Sequence, residues 1–135
     1  MHLTPELYCL VIVTSATGIM WIPYILARIV TNGPLRAMGN PASFSADNPS
    51  WAQRSKLAHA NAVENLAVFA PLVIVAAMLG ISTPATIVAA KVYLIARIIH
   101  YFVYTAGIPG IRTLAFIAGF AATAVFATAI FSHVA

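Results

Sequence analysis

The run LYCLVIVTSATGIMWIPYILA, residues 7–27, extends over 21 positions without a charge. A helix needs about 20 predominantly apolar residues to cross the hydrocarbon core of a bilayer. The run does not read as a secretory leader: the acidic Glu6 precedes it, it is too long, and further apolar runs follow. Composition generalises the point. The chain has 135 residues, of which 61% are hydrophobic and only 7% charged, whereas soluble domains are about 25% charged. Seven Lys/Arg and three Asp/Glu cannot cover a globule of this size. A soluble monomer, a disordered tail and a nucleic-acid module are thereby excluded. The single cysteine, Cys9, excludes an intramolecular disulfide and a CxxC site.

Outward from the first run, breakers divide the chain. Asn32-Gly33-Pro34, Gly39-Asn40-Pro41 and Asp47-Asn48-Pro49 mark a long loop, Gly80 to Pro84 a tight turn, and Gly107-Ile108-Pro109-Gly110 a second break. Asn48 followed by Pro49 reads as an N-cap with proline at the first helical position. The spacing predicts helices over about 6–30, 49–79, 85–105 and 111–132, with a loop over about 31–48, all within one domain spanning 1–135. This is an all-α membrane protein, a four-helix up-down bundle. Arg28, Arg36, Arg54, Lys56 and Arg112 lie in or beside the first and third connections, so the positive-inside bias places those loops in the cytoplasm and both termini outside. Trp51 fits an interfacial anchor.

Inside the spans sit Glu64, Lys91, Arg97 and His100. An ionisable group at mid-bilayer costs on the order of 2.5–3.5 kcal/mol on insertion scales, so it should face protein or water and find a partner. Glu64 lies 16 residues before Gly80, and at 1.5 Å per residue that is about 24 Å from the outer end. Arg97 lies about 20 Å and His100 about 24 Å from the same end. Glu64 and Arg97 can therefore meet at one level. Residues three, four and seven apart share a face, which gathers Arg54, Asn61, Glu64, Asn65 and Val68 on the second span, with His59 on another side. On the third span it gathers Arg97, His100, Tyr101 and Tyr104, and Arg112 begins the fourth. The reading is a hydrated, net-positive pocket between helices, open to the cytoplasm.

Each of these residues also has a plainer reading. A Glu64–Arg97 pair can be an interhelical staple, typically worth ~0.6 kcal/mol. His59 and His100 can be hydrogen-bonded helix residues, and Tyr101 and Tyr104 packing aromatics. Lys91 is expected to snorkel, and Pro23 and Pro71 to bend their helices. Ala118/Ala122 and Gly119/Thr123 are small residues four apart, which favour close helix contact. No metal site is expected, because no cluster of carboxylates or cysteines accompanies the histidines.

Arg54, the segment Ala58-His59-Ala60-Asn61-Ala62-Val63-Glu64-Asn65 and Phe69-Ala70-Pro71 form one signature, and Ala96-Arg97-Ile98-Ile99-His100 with Tyr104, Gly107, Pro109 and Arg112 a second. Together they resemble the MAPEG family (membrane-associated proteins in eicosanoid and glutathione metabolism), near the microsomal glutathione transferase branch, which has bacterial members. The resemblance covers essentially the whole chain. It implies a left-handed four-helix bundle, a homotrimer in a bacterial inner membrane, and glutathione as co-substrate between neighbouring subunits on the cytoplasmic side. By that resemblance Asn61, Glu64, Arg97 and Tyr104 match glutathione-binding positions, with Arg54, His59 and His100 beside them. Arg112 matches, with a shift of about one residue, the arginine that stabilises the thiolate, and Arg97 is the second choice for that role. Arg28 or Arg36 supplies a further basic residue. Leu57 stands where many members carry a glutathione-contacting arginine, which implies weaker carboxylate recognition because a guanidinium pairs bidentately. Phe116 replaces a tyrosine and Thr113 a serine of some branches.

The implied activity is conjugation of glutathione to hydrophobic small-molecule electrophiles, or reduction of lipid hydroperoxides, with the second substrate entering from the bilayer. Two alternatives stand beside it. A transport or proton-relay protein would use Glu64, Arg97 and His100 as intramembrane charges, and a non-catalytic member would keep them only for assembly.

Overall fold

The computed structural model describes residues 3–39 and 48–134. Among them all regular structure is helical, and four helical segments are long and apolar enough to cross a membrane: Pro5–Asn32, Ser50–Met78, Pro84–Ala106 and Pro109–His133. The chain is an integral, multi-pass membrane protein. Its large exposed side chains, such as Leu114 and Phe120, are the apolar coat of such a bundle. Residues 40–47 of the expected loop lie outside the described residues.

The first span is broken into two helices, α1 (Pro5–Ile19) and α2 (Ile22–Asn32). Pro23 has no N–H to offer the Ile19 carbonyl, so the α-helical ladder cannot continue there. The chain turns through Met20 and Trp21, and the ladder resumes with Ile25 N–H on the Trp21 carbonyl at 3.2 Å. Neighbouring helices cover the break. The Tyr101 hydroxyl donates to the Met20 carbonyl at 3.0 Å, and the Tyr24 hydroxyl and His59 Nδ1 hydrogen-bond at 3.0 Å. The His59 ring also reaches the Thr17 backbone.

Gly33, at φ 80, separates α2 from the short α3 (Pro34–Met38). Then α4 (Ser50–Met78) passes through Pro71 without ending. The expected Asn48 cap is displaced by one residue. Pro49 itself holds the cap position with extended backbone (ψ 144), and its ring offers no side-chain acceptor. The Gln53 side chain instead donates to the Asn48 carbonyl at 2.9 Å.

A turn at Gly80 (φ 70) leads into α5 (Pro84–Ala106), which opens with a reciprocal capping box between Thr83 and Thr86. The carboxylate of Glu6, 3% exposed, lies over this end. It accepts from Thr86 Oγ1 at 2.7 Å and from Ser82 Oγ at 2.9 Å. At its other end α5 stops on left-handed Gly107 (φ 82), where Arg54 Nε donates to the Thr105 carbonyl at 2.9 Å. A cation beside orphan C-terminal carbonyls is favoured by the helix dipole. The last helix is α6 (Pro109–Val134).

The central helix is α5, which packs on α1, α4 and α6. Toward the Gly80 turn, Phe69 stacks on Tyr93 with ring centroids 3.5 Å apart, and Phe126 meets Phe69 edge-on at 5.4 Å. Toward the other end the core thins to Met20, Ala58, Ala62 and Tyr101. The polar side chains of α4, α5 and α6 gather in that thinner half.

Candidate functional site

Six residues from three helices line a cleft of about 270 Å³: Asn61 of α4, His100 and Tyr104 of α5, and Arg112, Thr113 and Phe116 of α6. Local structure explains why they converge. The stop at Gly107 and the restart at Pro109 fold the first turn of α6 back against the last turns of α5. That brings the Arg112 guanidinium carbon to 4.6 Å from the Tyr104 ring centroid, a cation–π distance. His100, 4% exposed, meets the Tyr104 ring edge-on at 5.6 Å. The Thr113 hydroxyl donates to the Pro109 carbonyl at 3.1 Å and so presents its oxygen lone pairs. The cleft carries one full positive charge, a phenol, an imidazole and a carboxamide, with no carboxylate among its lining residues.

Arg97 does not line the cleft. It is 1% exposed, and its guanidinium is turned toward α6, where Nη2 donates to the carbonyls of Phe116 at 3.2 Å and Ala115 at 3.4 Å. Nη1 donates to Asn61 Oδ1 at 3.4 Å. Gly119 makes the room. A Cβ there would lie 2.3 Å from Arg97 Nη2.

The structure therefore does not form the expected Glu64–Arg97 pair. Glu64 is exposed, and its side chain makes no hydrogen bond or ion pair among the described residues. Facing is the reason. The buried stripe of α4 at this level is Ala58 and Ala62, and a residue two positions beyond Ala62 lies about 200° around the helix. The small residues, not the polar ones, mark the inward face, and Asn61 sits at its edge.

The family profile that matches the chain is that of the MAPEG family, over residues 7–132. The chain belongs to the MAPEG family. No curated protein matches it. The matched stretch of this MAPEG chain runs from the first turn of α1 almost to the end of α6, and so contains every residue of the cleft.

Of the residues expected at a MAPEG site, the structure brings together Asn61, His100, Tyr104 and Arg112. Arg97 backs them. His59 is engaged at the α1–α2 break and Arg54 at the end of α5, each with a structural task. Arg28 donates to the Gly39 carbonyl at 3.5 Å and Arg36 lies on α3, and neither lines the cleft. Lys91 is exposed on α5, and Cys9 is buried in the core. The sequence marks Phe116 and Thr113 only as substitutions, yet both are walls of the cleft. Their signal was spacing: Arg112, Thr113 and Phe116 share one face of a helix start.

Proposed function

We propose that this MAPEG protein is a glutathione-dependent membrane transferase or peroxidase acting on hydrophobic electrophiles or lipid hydroperoxides. The observation that carries the reading is the Arg112 guanidinium held over Tyr104 in the wall of a three-helix cleft that His100 and Asn61 also line. Glutathione bears two carboxylates and one ammonium, and the donors of this cleft fit an anion. Its thiol has an ordinary pKa near ~8.5, and the thiolate is the nucleophile. A guanidinium beside the sulfur lowers that value. Each unit is worth about 1.4 kcal/mol and a tenfold change in thiolate at a fixed lower pH. The thiolate then forms a sulfur–carbon bond as the leaving group departs with its electron pair. In the peroxidase variant, two thiols are oxidised to one disulfide while a hydroperoxide is reduced to alcohol and water.

Glu64 supports assembly as a homotrimer. An exposed carboxylate on a membrane-spanning helix is costly until something polar covers it. A neighbouring subunit supplies that cover, and at the shared boundary Glu64 receives the ammonium of glutathione. The basic ends of α2, α4 and α6 face the cytoplasm of the cell, where glutathione is abundant and the positive-inside bias puts them. The electrophile enters between helices from the lipid.

Calorimetric titration of the detergent-solubilised protein with glutathione tests the reading, together with thiolate absorbance followed against pH. Saturable binding with a thiol that ionises below its free value is the expected result. No binding at millimolar glutathione would refute it.

A further inference from the structure

We propose that Arg97 is a positioning residue, which acts on the bound anion only through Asn61 by holding its carboxamide with the –NH2 end toward the cleft. The identity of the ligand rests on the glutathione reading, whereas the positioning itself does not.

A carboxamide has two unlike ends. Oδ1 accepts and Nδ2 donates, and a half-turn about its last bond exchanges them. An asparagine on a cleft wall therefore attracts or repels an anion according to which end is held. Here the acceptor end is occupied. Asn61 Oδ1 accepts from Arg97 Nη1 at 3.4 Å and from Asn65 Nδ2 at 3.3 Å. Asn65 sits one turn along the same helix and also donates to the Asn61 main-chain carbonyl at 2.8 Å, so the Arg97 guanidinium is the charged anchor and the one that reaches the carboxamide from another helix. No group among the described residues accepts from Asn61 Nδ2, which is left to the cleft that Asn61 lines.

Arg97 is built to hold and not to reach. Its Nη2 is tied to the Phe116 and Ala115 carbonyls, and its guanidinium carbon lies 5.5 Å from the Tyr93 ring centroid and 5.6 Å from that of Phe116. Gly119 leaves a notch that any side chain would close, with a Cβ 2.8 Å from Nε as well as 2.3 Å from Nη2. The main chain of α6 thus seats a rigid fork whose other nitrogen holds the Asn61 carboxamide of α4. A lysine keeps the charge but is a point donor without the planar fork.

The test uses the full-length protein in detergent, with glutathione as the probe and a second readout that needs no ligand. Arg97→Lys and Asn61→Ala are each expected to weaken glutathione binding about tenfold, and the double variant no more than either alone. Asn65→Ala should stay within about twofold of the parent. With the five asparagines 15N-labelled, the Asn61 side-chain amide pair, assigned by its loss in Asn61→Ala, should shift in Arg97→Lys without ligand. Losses that multiply in the double variant, or an Asn61 amide that does not move, would overturn the proposal. A loss in Asn65→Ala equal to that in Asn61→Ala would overturn it too, and that variant also serves should Arg97→Lys not fold. If the parent binds no glutathione, the functional reading fails alone, and the amide signals still decide the positioning.

Discussion

The Tyr101 hydroxyl of α5 reaches into the gap of the broken first span and donates to the Met20 carbonyl at 3.0 Å, while Ser55 of α4 supplies the matching donor at 2.8 Å. Three helices thus meet at one buried oxygen. A bare carbonyl in a membrane interior has no water to fall back on. Tyr101→Phe keeps the ring and removes the bond, leaving both Met20 O and Ser55 Oγ short of a partner. The expected cost is about 1–3 kcal/mol, read as a lower thermal midpoint in detergent. An unchanged midpoint would show that the break is held by packing alone.

At the opposite end, Glu6 joins α1 to the start of α5 through Thr86 and Ser82. An anion over a helix N-terminus gains from the dipole as well as from the hydroxyls. Glu6→Ala should destabilise by about 1–3 kcal/mol, since the buried Thr86 hydroxyl loses its carboxylate acceptor and the exposed Ser82 hydroxyl its tie to α1. Glu6→Gln, which keeps one acceptor oxygen, should cost less. Denaturation in mixed micelles orders the three proteins, and equal loss in both variants would count against a hydrogen-bonded latch.

The spans were legible because twenty uncharged residues have few other uses, and the turns because Gly and Pro punctuate them. The break at Met20 was half legible: Pro23 announced a disturbance, but its depth depends on Tyr101 and His59 arriving from other helices. Asn61, His100, Tyr104 and Arg112 could be grouped by spacing and depth. Their orientation could not. Polarity suggested that Glu64 and Arg97 face one another, whereas packing is decided by where α4 is thin enough to approach, at Ala58 and Ala62. Gly119 was readable as a small residue for helix contact. That it is a seat for a guanidinium emerges only when Arg97 lies opposite.

In the proposed glutathione reaction Arg112 is the residue assigned to the thiol. Arg112→Ala should raise the apparent pKa of that thiol, because the charged form loses its neighbour. The direction fixes the pH dependence: activity in the parent persists to lower pH, and in the variant it is lost as pH falls from the alkaline side. A rise of about one unit means about tenfold less thiolate at pH 7. Thiolate absorbance against pH, at saturating glutathione, measures it directly. Coincident titration curves would remove Arg112 from the chemistry.

Glu64 separates the single chain from the assembly. On an isolated bundle its carboxylate faces lipid, so Glu64→Gln should raise stability by relieving a burial cost of a few kcal/mol. In a trimer where a neighbour and the ammonium of glutathione cover it, the same change removes a charge-assisted contact, worth about 1.5–3 kcal/mol. The expected outcome is therefore weaker glutathione binding by tenfold or more, with the trimer retained in native mass spectrometry. Glu64→Gln that melts higher and binds glutathione as the parent does would place this carboxylate at the lipid surface and away from any shared site.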